Sequence, residues 1–290
     1  MKAEVLYPSQ CILGEGPIWH AKRKSCFWVD IEKGILYEYT WQTKVTKFWR
    51  FDYKLTLVLQ ATKNSLILGL NGGIARFDLE SENLEWLLDI ETQIADNRCN
   101  DGACDSYGRL WIGSMQRHFK KGAGSLYCID KDLNINKKLD GVTISNGIAW
   151  SLDGKKLYYI DSPTQVVQSF IFDEETGDIS FEKNVIQIPV KMGTPDGMTI
   201  DEEGMLWIAH WGGFGVYRWN PLDGKILDKI DIPAPNVTSC AFAGANLDHL
   251  VITTARENLK QEDLKNYPES GNIFVAKAYV KGIVTNTCLI

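Results

Sequence analysis

Four oxygen-bearing side chains draw attention because they occupy one position of a repeated pattern. Each lies ten or eleven residues before a run of β-branched and aromatic residues, and the four are Glu15, Asn100, Asn146 and Asp196. Carboxylate and amide oxygens are the ligands that Ca²⁺, Mg²⁺ and Mn²⁺ prefer, and Zn²⁺ or Fe²⁺ also accept them. A carboxylate beside such an ion can take a proton from water. These residue types therefore predict a metal site that supports hydrolysis.

The repeat itself predicts the fold. The apolar runs occupy residues 26–30, 66–70, 110–114, 157–161, 206–210 and 250–254. Their first residues lie 40, 44, 47, 49 and 44 positions apart, which is the spacing of four-stranded propeller blades. One strand precedes each run and two follow it, with turns rich in Asp, Asn and Gly. We predict an all-β fold, a six-bladed β-propeller with four-stranded antiparallel blades, in which residues 1–290 form a single domain and residues 4–6 join the last blade.

Equivalent positions of the innermost strands meet at the central channel of a propeller. The two remaining blades place Thr56 and Ser239 at this position. Glu15, Asn146 and Asp196 each precede a glycine, whose missing Cβ lets backbone and ligand approach closely. An Asx-Gly pair taken singly is also a turn signal, but the shared repeat position favours a common site. Because two carboxylates and an amide oxygen would repel one another there, we predict that they bind one divalent metal ion, with Ca²⁺ favoured.

Strand direction then predicts which loops surround the metal. The loops that follow the apolar runs are expected above it, and they comprise residues 71–73, 116–124, 210–213 and 256–270. Arg98 lies two residues before Asn100, hence on the same strand face, where it would bind an oxygen-rich substrate or a product carboxylate. A surface ion pair is the alternative for Arg98. His118, His210 and Trp211 are either pocket residues or packing residues.

Composition excludes several function classes. The net charge is −6 and the longest Lys/Arg run is 22–24, which argues against a nucleic-acid or membrane partner. No signal segment or long apolar stretch is present, so we expect a soluble, cytoplasmic protein that is a monomer or weak homo-oligomer. The seven cysteines form no C-x-x-C pair, which favours reduced thiols. Motifs of serine hydrolases, zinc proteases, P-loop enzymes and EF-hands are absent.

Six strings along the chain carry a family resemblance. They are LGEGP (13–17), NRCNDGACDSYGRLWIGSM (97–115), ISNGIAWS (144–151), YYIDS (158–162), TPDGMTIDEEGMLWIA (194–209) and GNIF (271–274). Together, and in this order, they resemble the SMP-30/gluconolactonase/luciferin-regenerating-enzyme family. The string AHWGG (209–213) is more similar to the bacterial sugar-lactonase members than to the animal, regucalcin-type proteins.

This resemblance implies a six-bladed propeller with one divalent metal in the channel and hydrolysis of sugar lactones to aldonic acids. It implies that Glu15, Asn146 and Asp196 are the metal ligands, with Asp196 also the catalytic acid/base. Arg98 and Asn100 match substrate-contacting positions. His118 stands where the animal proteins carry a glutamate, so we predict that it contacts substrate. Which hydroxyl groups of the lactone are recognised is left open by this difference.

Three functions remain compatible with the sequence. The first is a metal-dependent hydrolase that opens an aldono-1,4- or 1,5-lactone to the aldonic acid. The second is a metal-stabilised propeller that acts as a binding or regulatory module, because propellers are common scaffolds. The third is a broader esterase or phosphotriesterase.

Overall fold

Twenty-four strands form six four-stranded antiparallel sheets in the computed structural model, which describes residues 1–290. The predicted six-bladed β-propeller is confirmed. The chain begins with β1 (Glu4–Tyr7). Blade 1 consists of β2 (Gly14–His20), β3 (Ser25–Asp30), β4 (Ile35–Thr40) and β5 (Thr46–Arg50). Blade 2 consists of β6 (Leu55–Gln60), β7 (Ser65–Leu70), β8 (Gly73–Asp78) and β9 (Leu84–Asp89). Blade 3 consists of β10 (Asn97–Cys104), β11 (Leu110–Gln116), β12 (Gly124–Ile129) and β13 (Ile135–Val142).

The second half of the chain repeats this arrangement. Blade 4 consists of β14 (Ser145–Trp150), β15 (Lys156–Asp161), β16 (Val166–Phe172) and β17 (Ile179–Gln187). Blade 5 consists of β18 (Thr194–Ile200), β19 (Leu206–Trp211), β20 (Gly215–Trp219) and β21 (Ile226–Asp231). Blade 6 contains β22 (Val237–Ala243), β23 (His249–Thr254) and β24 (Ile273–Lys277). Single 3₁₀ turns span Ser162–Thr164 and Val190–Met192, and the only α-helix is α1 (Gln261–Asn266). No helix has the length and hydropathy needed to cross a membrane.

The two ends of the chain close the ring in blade 6. Strand β1 pairs antiparallel with β24, with Glu4 opposite Val275 and Val5 opposite Phe274. The resulting sheet order is β1-β24-β23-β22. The predicted closure by the first strand is therefore confirmed.

The innermost strands form a closed ring around the channel. Each of β2, β6, β10, β14, β18 and β22 packs against the next, and β22 packs against β2. Every one of the six carries a β-bulge or register shift at the same place: Glu15/Ile18, Leu55/Leu57, Cys99/Gly102, Asn146/Ile148, Pro195/Met198 and Val237/Ser239. Because a bulge interrupts the alternation of side chains and increases the twist of the strand, it turns the residues beside it toward a new direction.

Buried hydrogen bonds connect the blade cores to their hairpin turns. In blade 5, Trp207 Nε1 donates to Asp201 Oδ2 at 2.9 Å, and Arg218 Nε donates to the same oxygen at 2.8 Å. Asp201 is fully buried and Arg218 nearly so. Blade 3 repeats the aspartate–tryptophan bond with Asp105 and Trp111 at the same six-residue spacing.

Replacing Asp201 with alanine is expected to destabilise the protein by about 3 kcal/mol, because the substitution leaves the buried Nε–H of Arg218 and the indole N–H of Trp207 without an acceptor. The free energy of unfolding in a denaturant titration measures the loss. Asp223→Ala, in the exposed turn between β20 and β21, is the control and should change it by less than about 1 kcal/mol. A loss for Asp201→Ala no larger than the control's would contradict the prediction.

Candidate functional site

A cavity of about 280 Å³ at one end of the channel contains most of the predicted site residues. Five of the six line it: Glu15, Arg98, Asn100, Asn146 and Asp196. They come from the inner strands of blades 1, 3, 4 and 5. Arg98, Asn100, Asn146 and Asp196 are each less than a tenth exposed. The repeat position thus identified side chains that meet in space, while their metal-binding and catalytic roles stay predictions.

The aspartates that end β3 and β15 hold the chain in front of two of these residues. Asp30 accepts hydrogen bonds from two backbone N–H groups just before Glu15, at 3.0 and 3.3 Å. Asp161 does the same before Asn146, at 3.1 and 2.8 Å. Both strands therefore enter the channel from a fixed starting point, which positions the side chains at the bulge.

In blade 5, His210 holds the chain in front of Asp196. Its ring is fully buried and stacks on Tyr217 at 4.2 Å between centroids. Nδ1 lies 2.9 Å from the carbonyl oxygen of Met192, just before β18. Burial lowers the pKa of His210 to about 4, so the ring is neutral and Nδ1–H is the donor. His210 is therefore a packing residue that supports the strand of Asp196 and does not line the cavity.

A chain of hydrogen bonds orients the amide of Asn146. Its Nδ2 donates to Ser162 Oγ at 2.8 Å, and Ser162 Oγ donates to the carbonyl of Pro195 at 2.7 Å. This orientation turns Asn146 Oδ1 toward Asn100, whose Nδ2 donates to it at 3.1 Å. An oxygen fixed in this way is available as a ligand for a cation.

Arg98 and Asn100 form a second fixed unit. Arg98 Nη1 donates to Asn100 Oδ1 at 2.5 Å and to the carbonyl of Cys99 at 2.9 Å. Burial lowers the pKa of the guanidinium from its ordinary value, while the neighbouring carboxylates oppose that change. The surface ion pair considered for Arg98 is not found, because the side chain is buried in the cavity wall.

The carboxylates at the axis oppose one another's ionisation. Burial, and next the charge of Asp101, raise the pKa of Glu15 to about 8. Burial, and next the charge of Glu15, raise the pKa of Asp196 well above its ordinary value. A divalent cation would remove this electrostatic cost, and the oxygen-only donors suit a hard ion. No three His, Cys, Asp or Glu side chains form a metal-binding group, since the predicted third donor is an amide.

The glycines after the predicted ligands serve a different purpose from the one expected. A Cβ on Gly197 would lie 2.2 Å from Ser239 Oγ, and one on Gly147 would lie 2.9 Å from the carbonyl of Asp196. Both therefore allow close contact between neighbouring inner strands, not the approach of a ligand. Gly16 has open space around it, and its φ of +51° is what requires glycine.

His118 is the predicted site residue that the structure does not bring to the cavity. Its side chain is exposed, and its backbone N–H donates to Gln116 Oε1 at 2.7 Å. The next residue, Phe119, lines the cavity in its place, with a φ of +58°. The reason is the tight loop after β11, whose conformation strand periodicity does not predict.

Two acidic residues close to the predicted site were not singled out from the sequence. Asp101 lies beside Asn100 at the bulge of β10 and lines a second cavity, of about 520 Å³, that also contains Ser239. Burial raises the pKa of Asp101 to about 6. Glu257 lines the 280 Å³ cavity from the predicted loop 256–270. The pair Asn-Asp before a bulge glycine was a usable signal for Asp101, whereas the signal for Glu257 was only its place in a loop that was predicted to lie above the metal.

Comparisons with known sequences identify relatives over nearly the whole chain. The chain is 39% identical over 281 residues to an uncharacterised protein of Sulfolobus acidocaldarius, covering 95% of this chain and 96% of that protein. It is 34% identical over 282 residues to a Bacillus subtilis protein provisionally named sugar lactone lactonase YvrE, covering 97% of each. Regucalcin of Macaca fascicularis is 34% identical over 289 residues, covering 98% of this chain and 97% of that protein.

Solved structures give the same result. A calcium-binding protein, regucalcin, from Agrobacterium tumefaciens superposes with a TM-score of 0.95 at 26% identity, covering 100% of this chain and 98% of that one. A luciferin-regenerating enzyme superposes with a TM-score of 0.91 at 30% identity, covering 97% of each chain. The family model described as the SMP-30/gluconolactonase/LRE-like region matches residues 13–256. The chain therefore belongs to the SMP-30/gluconolactonase/LRE-like family.

Proposed function

We propose that this protein is a metal-dependent hydrolase that opens a sugar lactone, an aldono-1,4- or 1,5-lactone, to the aldonic acid. The observation that carries the proposal is the grouping of Glu15, Asn146 and Asp196 at the cavity with Arg98 and Asn100 beside them. Family membership and the name of the Bacillus subtilis relative support a lactonase-type activity. A volume of about 280 Å³ suits a small ligand such as a monosaccharide lactone.

Glu15, Asn146 and Asp196 would hold one divalent ion. Ca²⁺ is favoured, because the regucalcin of Agrobacterium tumefaciens is described as calcium-binding, while Zn²⁺, Mn²⁺, Mg²⁺ and Fe²⁺ suit the same oxygens. When bound, such an ion polarises a carbonyl oxygen as a Lewis acid.

Asp196 takes the proton of the attacking water in this proposal. Burial, and next the charge of Glu15, raise the pKa of Asp196 above its ordinary value, which makes the ionised carboxylate a stronger base. Arg98 contacts the substrate or the product carboxylate through the guanidinium nitrogens that make no bond within the chain. Asn100 holds Arg98 in place and lines the same cavity, where it would contact the same ligand. His118 could contact substrate only if its loop changed conformation.

The substrate is proposed to be a small molecule, with neither nucleic acid nor membrane as a partner. A cytoplasmic location and a monomeric or weakly oligomeric state also stay predictions. None of these proposals affects the chemistry assigned to the cavity.

A pH-indicator assay over a panel of aldonolactones and metals tests the proposed activity, after subtraction of spontaneous ring opening. We expect metal-dependent opening of at least one aldonolactone, with a kcat/KM above that for aryl esters and phosphotriesters. The reverse preference would favour the broader esterase. No turnover, together with a lower melting temperature on chelation, would favour the binding module.

A further inference from the structure

Glu257 is an unpaired carboxylate on a rigid support. Its backbone N–H donates to the carbonyl of Ile12 at 2.8 Å, and its carbonyl accepts from Asn236 Nδ2 at 3.0 Å. These bonds fix the residue against blades 1 and 6, although it lies in the loop after β23. The carboxylate itself accepts no hydrogen bond and forms no ion pair with the rest of the chain, and it lines the 280 Å³ cavity. The cavity therefore contains a carboxylate whose backbone is held in place and whose oxygens have no partner within the chain.

The surroundings of Glu257 distinguish it from the other acidic residue nearby. Glu32 forms a bidentate ion pair with Lys54, with Nζ at 2.6 and 2.5 Å from the two carboxylate oxygens. Burial, and next the charge of Glu32, raise the pKa of Glu257 from its ordinary value, while the nearby guanidinium of Arg98 opposes that change. Arg98 and Glu257 thus give the cavity a donor and an acceptor that are both available to a ligand.

The other walls of the cavity offer little alternative to Glu257. Leu13, Met115, Phe119, Ile144 and Trp211 are apolar or aromatic, and Ser162, Thr194 and Asn258 are polar but carry no charge. The apolar and aromatic side chains can contact the carbon skeleton of a ligand, and none of these residues offers a charged acceptor to its hydroxyl groups. A hydroxyl that enters the cavity away from the axis therefore meets Glu257 as the charged acceptor.

We propose that the Glu257 carboxylate accepts hydrogen bonds from hydroxyl groups of the bound lactone and selects polyhydroxylated lactones over lactones that lack hydroxyls. The inference rests on the proposed lactonase function. A site built to bind a hydroxyl rejects an analogue that lacks it, because the polar group of the protein is then left unpaired. This contact determines which lactone is preferred. It does not alter the metal ligands or the role of Asp196 in the reaction.

The test compares two substrates in two variants. Glu257→Ala should lower kcat/KM for D-xylono-1,4-lactone by about 10- to 100-fold, as expected for the loss of a hydrogen bond to a charged group. The same variant should change kcat/KM for γ-butyrolactone, which has no hydroxyl, by less than about 3-fold. Glu257→Gln should show a smaller loss, because its amide oxygen still accepts. Glu262→Gln, exposed on α1, is the control and should have no effect.

Other results would overturn the proposal. An unchanged kcat/KM for the xylonolactone means that Glu257 does not contact it, and an equal loss for both lactones means that the residue serves catalysis. A Ca²⁺ dissociation constant raised more than 10-fold in Glu257→Ala, measured by calorimetry, would make it a metal ligand instead.

A binding experiment separates this proposal from the proposed function. If the wild-type protein opens neither lactone, the lactonase assignment fails, and binding of the polyol D-arabinitol to the Ca²⁺-loaded protein then decides the role of Glu257. Binding weakened at least 10-fold in Glu257→Ala, at an unchanged melting temperature, supports the hydroxyl contact. Binding that is equal in the variant, or absent from the wild type, overturns it.

Discussion

Replacing Asp196 with asparagine is expected to lower kcat/KM for the preferred aldonolactone by at least about 10³-fold. A general base raises the rate by a factor of about 10² to 10⁴. The substitution also removes a charged ligand from the proposed metal site. The amide has nearly the same shape, so it fits the buried position that Asp196 occupies. Initial rates at saturating metal, with the lactone varied, measure the loss.

The same variant should keep its fold. In the metal-free protein Asp196 is buried among carboxylates that raise its pKa, so removal of its charge should leave the melting temperature equal or higher. Asp132→Asn, in an exposed turn, is the control and should retain full activity. Wild-type turnover by folded Asp196→Asn would remove Asp196 from the mechanism, whereas a lower melting temperature would point to a structural role.

The sequence predicted the parts of the site that depend on the repeat. Glu15, Asn146 and Asp196 share one position relative to the apolar runs, and a propeller brings equivalent positions of its inner strands to one axis. Residue type and spacing are both visible in the sequence, so the convergence could be predicted. The same reasoning explains why β1 was correctly expected in blade 6.

Residues that depend on local backbone conformation could not be predicted in this way. The bulge in β10 places Asn100 and Asp101 in two different cavities, although simple alternation would send one of them away from the channel. The loop after β11 turns at a positive φ, which brings Phe119 to the cavity and leaves His118 outside. Glu257 lies in the loop after β23. The position of this loop is set by a backbone hydrogen bond to Ile12, which is distant in sequence and lies just before β2.

Adding Ca²⁺ to chelator-treated protein is expected to raise the melting temperature more at pH 8 than at pH 5. At a free Ca²⁺ concentration of 100 times its dissociation constant, the gain in stability is about 2.7 kcal/mol. For a chain of this size that gain corresponds to roughly 5–10 °C. Differential scanning fluorimetry with and without excess chelator measures the shift at each pH.

The direction of this pH dependence follows from Glu15. Its pKa is about 8 in the folded, metal-free protein against an ordinary value of 4.5. Between these values the folded state binds more protons than the unfolded state, so the stability of the metal-free protein falls as pH rises from about 4.5 to 8. Ca²⁺ competes with those protons, and its affinity therefore increases over the same interval.

Glu15→Gln is the variant that isolates this effect. It removes one of the axial carboxylates whose pKa is raised but keeps an oxygen at the same position, so it should bind Ca²⁺ more weakly and with a smaller difference between pH 5 and pH 8. An equal thermal shift at the two pH values in the wild type would mean that the ion does not displace protons from the axial carboxylates. In that case the site for the metal would lie outside the group formed by Glu15, Asn146 and Asp196.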